Sequence, residues 1–319
     1  MEQPPLRLAT RGSPLARWQA EWVAAALGGA SELVVVDTVG DRRQDVPLTV
    51  IGGQGVFVKE VQAAVLDGRA DAAVHSAKDL PSVTAPGLWL AAVGERGDPR
   101  DALVGTTLAD LRTGGEVATG SVRRRAQLAH LRPDLAFAEL RGNIGTRLAK
   151  AAGVDAIVVA AAALHRLGLA DRIAEALDPE LIVPQVGQGA IAVECRAGDD
   201  ATRKRLAALD HPLTHRAVVA ERAFLAMLGS GCTLPVGAHA THVSDPRGSA
   251  HGAQAGATDP GPLTLVAVIA APDGRVVLRH RATGEDPTEL GERVGHHLLE
   301  IAGGAELLVS VTRPPSPGP

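Results

Sequence analysis

A chain of 319 residues with 45% hydrophobic content is long enough to bury two or three cores. A net charge of −4 gives no overall field to draw in DNA or an anionic membrane, and 2% aromatics with no tyrosine exclude a stacking platform for single-stranded nucleic acid. Cys195 and Cys232 cannot build a disulfide framework, no run reaches the ~18 apolar residues that span a bilayer, and Met1–Arg7 has no secretory character; a soluble cytoplasmic protein is expected.

Leu6–Thr10 reads as a short strand, and Ser13 caps a helix with Pro14 at its first position, running to about Leu27. Leu33–Val39 is a second strand. A loop with Gly40, Gly52, Gly53 and Gly55 leads to a helix from about Phe57 to Leu66. Then comes Asp71-Ala-Ala-Val-His-Ser-Ala-Lys-Asp-Leu-Pro81, an apolar run that ends in His75, Ser76, Lys78 and Asp79. In an open α/β sheet the carboxyl ends of strands face the ligand crevice, so such a cluster suits acid–base chemistry. The plainer reading is a polar strand exit with a surface Lys–Asp pair.

Glu95–Gly105 reads as a charged connector. Alternation then restarts, with strands at Glu116–Ala118, Ala136–Leu140 and Ala156–Ala160 and helices at Val122–Leu131 and Ile144–Ala152. Leu181–Ala197, with Gly187 and Gly189 inside it, looks like a crossing back to the first unit. A smaller α+β region follows: a helix over Leu213–Leu228, strands near Val236–His239, Leu263–Ile269 and Val276–Ala282, and a helix near Pro287–Ile301. Asp245–Pro262 reads as a flexible loop and the chain from Arg313 as a disordered tail.

This order implies an α/β protein with mostly parallel sheets, two lobes and a cleft between them. The expected division is 1–98 with 190–208 as the first α/β lobe and 99–189 as the second. A small α+β domain over 209–312 and a tail over 313–319 complete it.

Thr119-Gly-Ser-Val-Arg-Arg-Arg125 leaves a strand and enters a helix, where backbone N–H groups, the Ser121 hydroxyl and the helix dipole favour an anion. Arg123 and Arg124 add forked donors suited to carboxylates. Leu140-Arg-Gly-Asn-Ile-Gly-Thr-Arg147 repeats that chemistry after the next strand, and Arg11 and Arg166 could join it. A solvated basic surface is the alternative. Neither a Walker-type lysine loop nor a dinucleotide fingerprint follows a strand, and no His/Cys cluster has metal spacing. Cys232, held by glycines in Leu228-Gly-Ser-Gly-Cys-Thr-Leu-Pro235, is either a reaching nucleophile or tether, or a small buried hydrophobe.

With these motifs in place the chain resembles the porphobilinogen deaminase family from about Leu6 to His239. The match rests on Leu8-Ala-Thr-Arg-Gly-Ser-Pro-Leu-Ala16, Val74-His-Ser-Ala-Lys-Asp79, Glu95-Arg-Gly-Asp-Pro-Arg-Asp101, Leu140-Arg-Gly-Asn-Ile-Gly-Thr-Arg-Leu148, Val183-Pro-Gln-Val-Gly-Gln-Gly-Ala190 and the cysteine loop. The resemblance implies two periplasmic-binding-protein-like lobes and a small α+β domain. It implies head-to-tail joining of four porphobilinogen molecules into hydroxymethylbilane, with release of ammonia, on a covalent dipyrromethane cofactor. In that reading Cys232 carries the cofactor through a thioether and Asp79 is the catalytic carboxylate, stabilising an azafulvenium-like cation. Arg11, Arg123, Arg124, Arg141, Arg147 and Arg166 match the family's carboxylate-binding arginines. Ser13, Ser76, Lys78, Thr119, Ser121, Gln188 and Gly189 match its hydrogen-bonding partners. The implied protein is a monomer that takes a small-molecule substrate and needs no metal, nucleic acid or membrane. Val50 and Gln54 stand where many members have lysine, which implies weaker holding of the cofactor carboxylates. A two-lobed binder of small carboxylates, needing neither Asp79 nor Cys232, and an inactive relative are the alternatives.

Overall fold

A computed structural model describes residues 4–38, 40, 55, 57–229, 234–243 and 261–312. Cys232, Val50, Gln54, nearly all of the 245–262 loop and the 313–319 tail lie outside the described residues.

The first sheet has the strand order β2-β1-β3-β10-β4, with β1 Leu6–Arg11, β2 Ser31–Val36, β3 Ala72–Ser76, β4 Leu88–Val93 and β10 Ile191–Arg196. β1 runs parallel to β2 and β3, and β10 runs antiparallel to β3 and β4. Strand alternation sends Leu6, Leu8, Val74 and Val193 to one face, against Val23 and the two tryptophans of helix α1 (Pro14–Leu27). The other face packs Ala9 and Ala73 on Val61 and Val65 of α2 (Lys59–Leu66). Each fully buried aliphatic side chain here contributes roughly 1.5–3 kcal/mol of transfer free energy.

A second sheet repeats this plan as β7-β6-β8-β5-β9, built from β5 Asp101–Val104, β6 Glu116–Ala118, β7 Ala136–Ala138, β8 Ala156–Ala160 and β9 Glu175–Ala176. Its helices are α3 Val122–Leu131, α4 Ile144–Lys150 and α5 Ala161–Arg166. Both odd-direction strands, β10 and β5, are the first strand their sheet receives after the chain crosses between lobes. The expected connector over Glu95–Gly105 is corrected here. Its second half, Asp101–Val104, is a strand buried at all four residues, antiparallel to β8 and β9. Four residues starting with an aspartate are too few to show a period.

After α6 (Asp200–Leu206), α7 (Pro212–Met227) leads into an antiparallel sheet of β11 Val236–His242, β12 Leu263–Ala270 and β13 Val277–Gly284. α8 (Pro287–His296) lies on α7 so closely that a Cβ at Gly291 would run into the Ala220 carbonyl oxygen. The helix expected near Pro287–Ile301 spans that whole stretch, α-helical as α8 to His296 and π-helical over His297–Ile301, and α9 (Gly304–Thr312) follows.

One buried carboxylate ties this region to both crossings. Glu221 of α7 accepts from Arg96 at 2.7 and 2.8 Å, from the Gly187 N–H at 2.7 Å and from the Ala240 N–H at 2.9 Å. Burial opposes its ionisation, but Arg96 and His239 outweigh it and hold Glu221 down to about 2. The crossings also touch each other, since the Gly97 N–H donates to the Gly189 carbonyl at 3.0 Å. Gly189 has φ +88°, and a Cβ there would come within 2.6 Å of the Gly97 oxygen, so glycine is required. Among the described residues no helix is long and apolar enough to cross a membrane.

Candidate active site

Two strand-to-helix turns of the first lobe begin the site. β1 ends at Arg11, and Ser13 caps α1 by accepting the Ala16 N–H at 3.3 Å. β3 ends at Ser76, whose hydroxyl pairs with the Gln19 amide at 2.9 Å, and the 3-10 turn Ala77–Asp79 carries Lys78 and Asp79 outward. From the second lobe, Ser121 caps α3 by accepting the Arg124 N–H at 3.4 Å. Asn143 caps α4, leaving Arg141 before that helix and Arg147 within it.

These turns face each other across a cleft of about 720 Å³. The first lobe lines it with Arg11, Ser13, Ser76, Lys78 and Asp79, and the second with Arg124, Arg141 and Arg147. Its charge is lopsided. Burial, then Arg124 and Arg147, push the Lys78 ammonium down to about 8 against the pull of Asp79 and Asp101. Burial, then Arg124 and Arg141, bring Arg147 down to about 10. Cations that depress one another in this way favour an anionic ligand.

The other expected residues lie behind this surface. Arg123 is 3% exposed and engaged with Asp101 at 2.7 and 3.1 Å and with the Val183 carbonyl at 2.7 Å. Its fork therefore does not stand open in the cleft. Arg166 donates to the Gly189 carbonyl at 2.6 Å and lies 5.7 Å from the Trp18 ring, so it braces the crossing; burial brings it down to about 10. Thr119 accepts the Ser121 N–H at 3.2 Å, and Gln188 is fully buried between the lobes.

A second cavity of about 30 Å³, room for a single water, lies where Lys78, Ser121, Arg123 and Gln185 meet Leu225, Leu234 and Val236 of the third region. Arg123 Nε, buried and lacking a hydrogen-bond partner in the structure, belongs to a residue that lines it. A donor left in this way fits an ordered water.

Sequence reasoning passed over Gln19, Phe57 and Asp101. Gln19 orients Ser76, and Phe57 lies under the Arg11 guanidinium with 4.0 Å to the ring centroid. Its rarity was a signal, because the chain has only three phenylalanines. Asp101 closes the Glu95–Asp101 motif, where the sequence alone assigns it no role.

The residues fit a covalently held dipyrromethane, a chain of pyrroles carrying acetates and propionates. Five cations line the cleft, which suits a chain of pyrroles that brings two carboxylates per ring.

Residues 6–204 match the family model described as porphobilinogen deaminase, dipyromethane cofactor binding domain, and residues 215–300 match porphobilinogen deaminase, C-terminal domain. A porphobilinogen deaminase of Syntrophotalea carbinolica is 44% identical, covering 99% of this chain and 99% of its own. One from Acidothermus cellulolyticus is 47% identical over 95% of this chain and 91% of its own. Among solved structures, the Bordetella pertussis BvgS periplasmic VFT2 domain matches 69% of this chain and 92% of that one at 18% identity, with a TM-score of 0.38. Matched across both lobes and the third region, the chain belongs to the porphobilinogen deaminase family.

Proposed function

We propose that this chain joins four porphobilinogen molecules head to tail into hydroxymethylbilane, releasing ammonia at each addition, with Asp79 as the catalytic carboxylate. The observation that carries the assignment is the cleft itself, where one carboxylate from β3's exit faces arginines from the other lobe. The dipyrromethane cofactor, when bound through Cys232, supplies the pyrrole carbon onto which units are added.

Asp79 holds its negative charge where the substrate's pyrrole becomes cationic as ammonia departs. A carboxylate at about 4 Å from such a cation, at an effective dielectric near 20, is worth about 4 kcal/mol. That is about a thousandfold in rate. Arg11, Arg124, Arg141 and Arg147 pair with acetate and propionate groups, and Ser13, Ser76, Lys78 and Ser121 complete the donor set. The depressed Lys78 and Arg147 support this division, because each is strengthened as a cation when a carboxylate arrives. Arg123 and Gln188 work from behind, and Arg166 and Gly189 hold the crossing.

Leu234 supports the role of Cys232. It lines the small cavity with Lys78, Ser121 and Arg123, and in sequence it follows Cys232 by two residues. The finer expectations, a monomer at work in the cytoplasm, belong to the same proposal.

The test is the intact mass of the purified protein beside Cys232→Ser. A surplus of two linked pyrrole units, absent from the variant, is expected. No surplus after incubation with porphobilinogen or hydroxymethylbilane would overturn the reading.

A further inference from the structure

Asp101 opens β5 with its carboxylate fully buried. Arg123 Nη1 and Nη2 reach it at 2.7 and 3.1 Å, Arg124 Nε at 2.8 Å and Gln188 Nε2 at 2.9 Å. Gln188 is fully buried as well, and its neighbours allow one amide orientation. Nε2 faces two acceptors, Asp101 and the Pro99 carbonyl at 2.8 Å. Oε1 faces two donors, Arg124 Nη2 at 3.3 Å and Lys78 Nζ at 3.5 Å. Flipping the amide would set donor against donor and acceptor against acceptor.

We propose that Asp101 is a positioning residue of the active site, aiming Arg124 directly and Lys78 through Gln188. The proposal rests on the cleft roles given above to Arg124 and Lys78. Three stretches of chain meet here: the second lobe through Asp101 and Arg124, the return crossing through Gln188, and the catalytic turn through Lys78. Stability alone gives little reason for the arrangement. A buried triad of two arginines and one carboxylate is close to neutral against a packed apolar trio of the same volume. An apolar trio, however, could not fix the direction of a guanidinium and an amide.

Lys78 faces Asp79 in its own turn, Arg124 and Arg147 from the second lobe, and Asp101 behind Gln188. Burial and the two arginines disfavour its charge, and the two carboxylates favour it. Removing Asp101's charge, or the Gln188 acceptor, must therefore move Lys78 toward the neutral amine.

Two variants test this. Asp101→Asn keeps the shape and deletes the charge. Gln188→Met cuts the link to Lys78 and leaves Asp101 with its arginines. The chain has four lysines, Lys59, Lys78, Lys150 and Lys204, so NMR of lysine labelled at Cε resolves them, and Lys78→Arg assigns the one in question. The Lys78 titration is expected at lower pH in both variants, with kcat for porphobilinogen down about a hundredfold and KM changed less. An unchanged Lys78 titration in the folded variants overturns the proposal, and if Asp101→Asn does not fold, Gln188→Met decides. A shifted titration in a protein that neither takes up the cofactor nor consumes porphobilinogen would sustain the positioning and remove the catalytic reading instead.

Discussion

The two lobes follow one plan and put different chemistry at the end of it. In each, a strand runs through Gly-Ser into a helix, at Gly12-Ser13 before α1 and at Gly120-Ser121 before α3, and the serine caps by accepting a backbone N–H. The first turn after Ser13 is Pro14, Leu15 and Ala16, without charge, whereas the turn after Ser121 holds Arg123 and Arg124. At the third strand the contrast reverses. β3 exits into Ser76, Lys78 and Asp79, while β8 exits into the apolar Ala161–Leu164 stretch of α5. The strand order is shared, and the carboxylate proposed as catalytic and most of the cleft arginines are apportioned to opposite sides. Architecture supplies the positions, and side chains at the strand ends supply the function.

Deleting the carboxylate at β3's exit is the sharpest way to break this division. Asp79→Asn should lower kcat about a thousandfold while leaving the melting temperature nearly unchanged. Steady-state rates close to the parent's would end the assignment. Attacking the junction comes next. Glu221 sits near 2 in the folded chain against an ordinary 4.5, so its contribution is complete above about pH 4.5 and disappears as pH falls toward 2. Glu221→Gln should cost about 3 kcal/mol at neutral pH and flatten the acid limb of stability, read by urea unfolding from pH 7 to 3. An acid limb as steep as the parent's would show that other carboxylates carry it.

On the cationic side, Arg147→Leu should weaken porphobilinogen or chain binding ten- to a hundredfold, about 2 kcal/mol, as one charge-assisted pair is lost. A KM equal to the parent's would remove Arg147 from the donor set. The shared caps offer a finer comparison: Ser13→Ala and Ser121→Ala should each cost about 1 kcal/mol of stability in urea. A loss at only one of them would mean that the turns are not equivalent. Smallest is Gln54→Lys, which adds a cation to the first lobe and should tighten cofactor retention by less than about 1 kcal/mol. Unchanged retention and turnover would show that the missing lysine is of no consequence.

Much of the fold was legible because local signals were strong. Ser13-Pro14 placed the start of α1, Ser121 placed α3, and the apolar run of β8 matched to the residue. β5 was hidden because its four residues begin with a charge that only the folded protein neutralises, through Arg123 and Arg124. The site was legible in kind but less so in direction. Arg123 and Arg124 are neighbours on one helix turn, yet only Arg124 lines the large cleft while Arg123 turns toward Val183 and the small cavity. Which way each points depends on Asp101, a contact 22 residues back in the chain that no local pattern encodes. Gln19 and Phe57 stayed unseen for the same reason, since each matters through a partner distant in sequence, Ser76 and Arg11.

The contact between Gly97 and Gly189 has a mechanical consequence. Two chain crossings joined there backbone to backbone, with no side chain between them, and joined again where Gln188 Nε2 donates to the Pro99 carbonyl at 2.8 Å, are held together as one seam between the lobes. Lys78, which Gln188 Oε1 meets at 3.5 Å, is thereby tied to the seam that joins the lobes, so any change in the angle between them would be felt first at this ammonium.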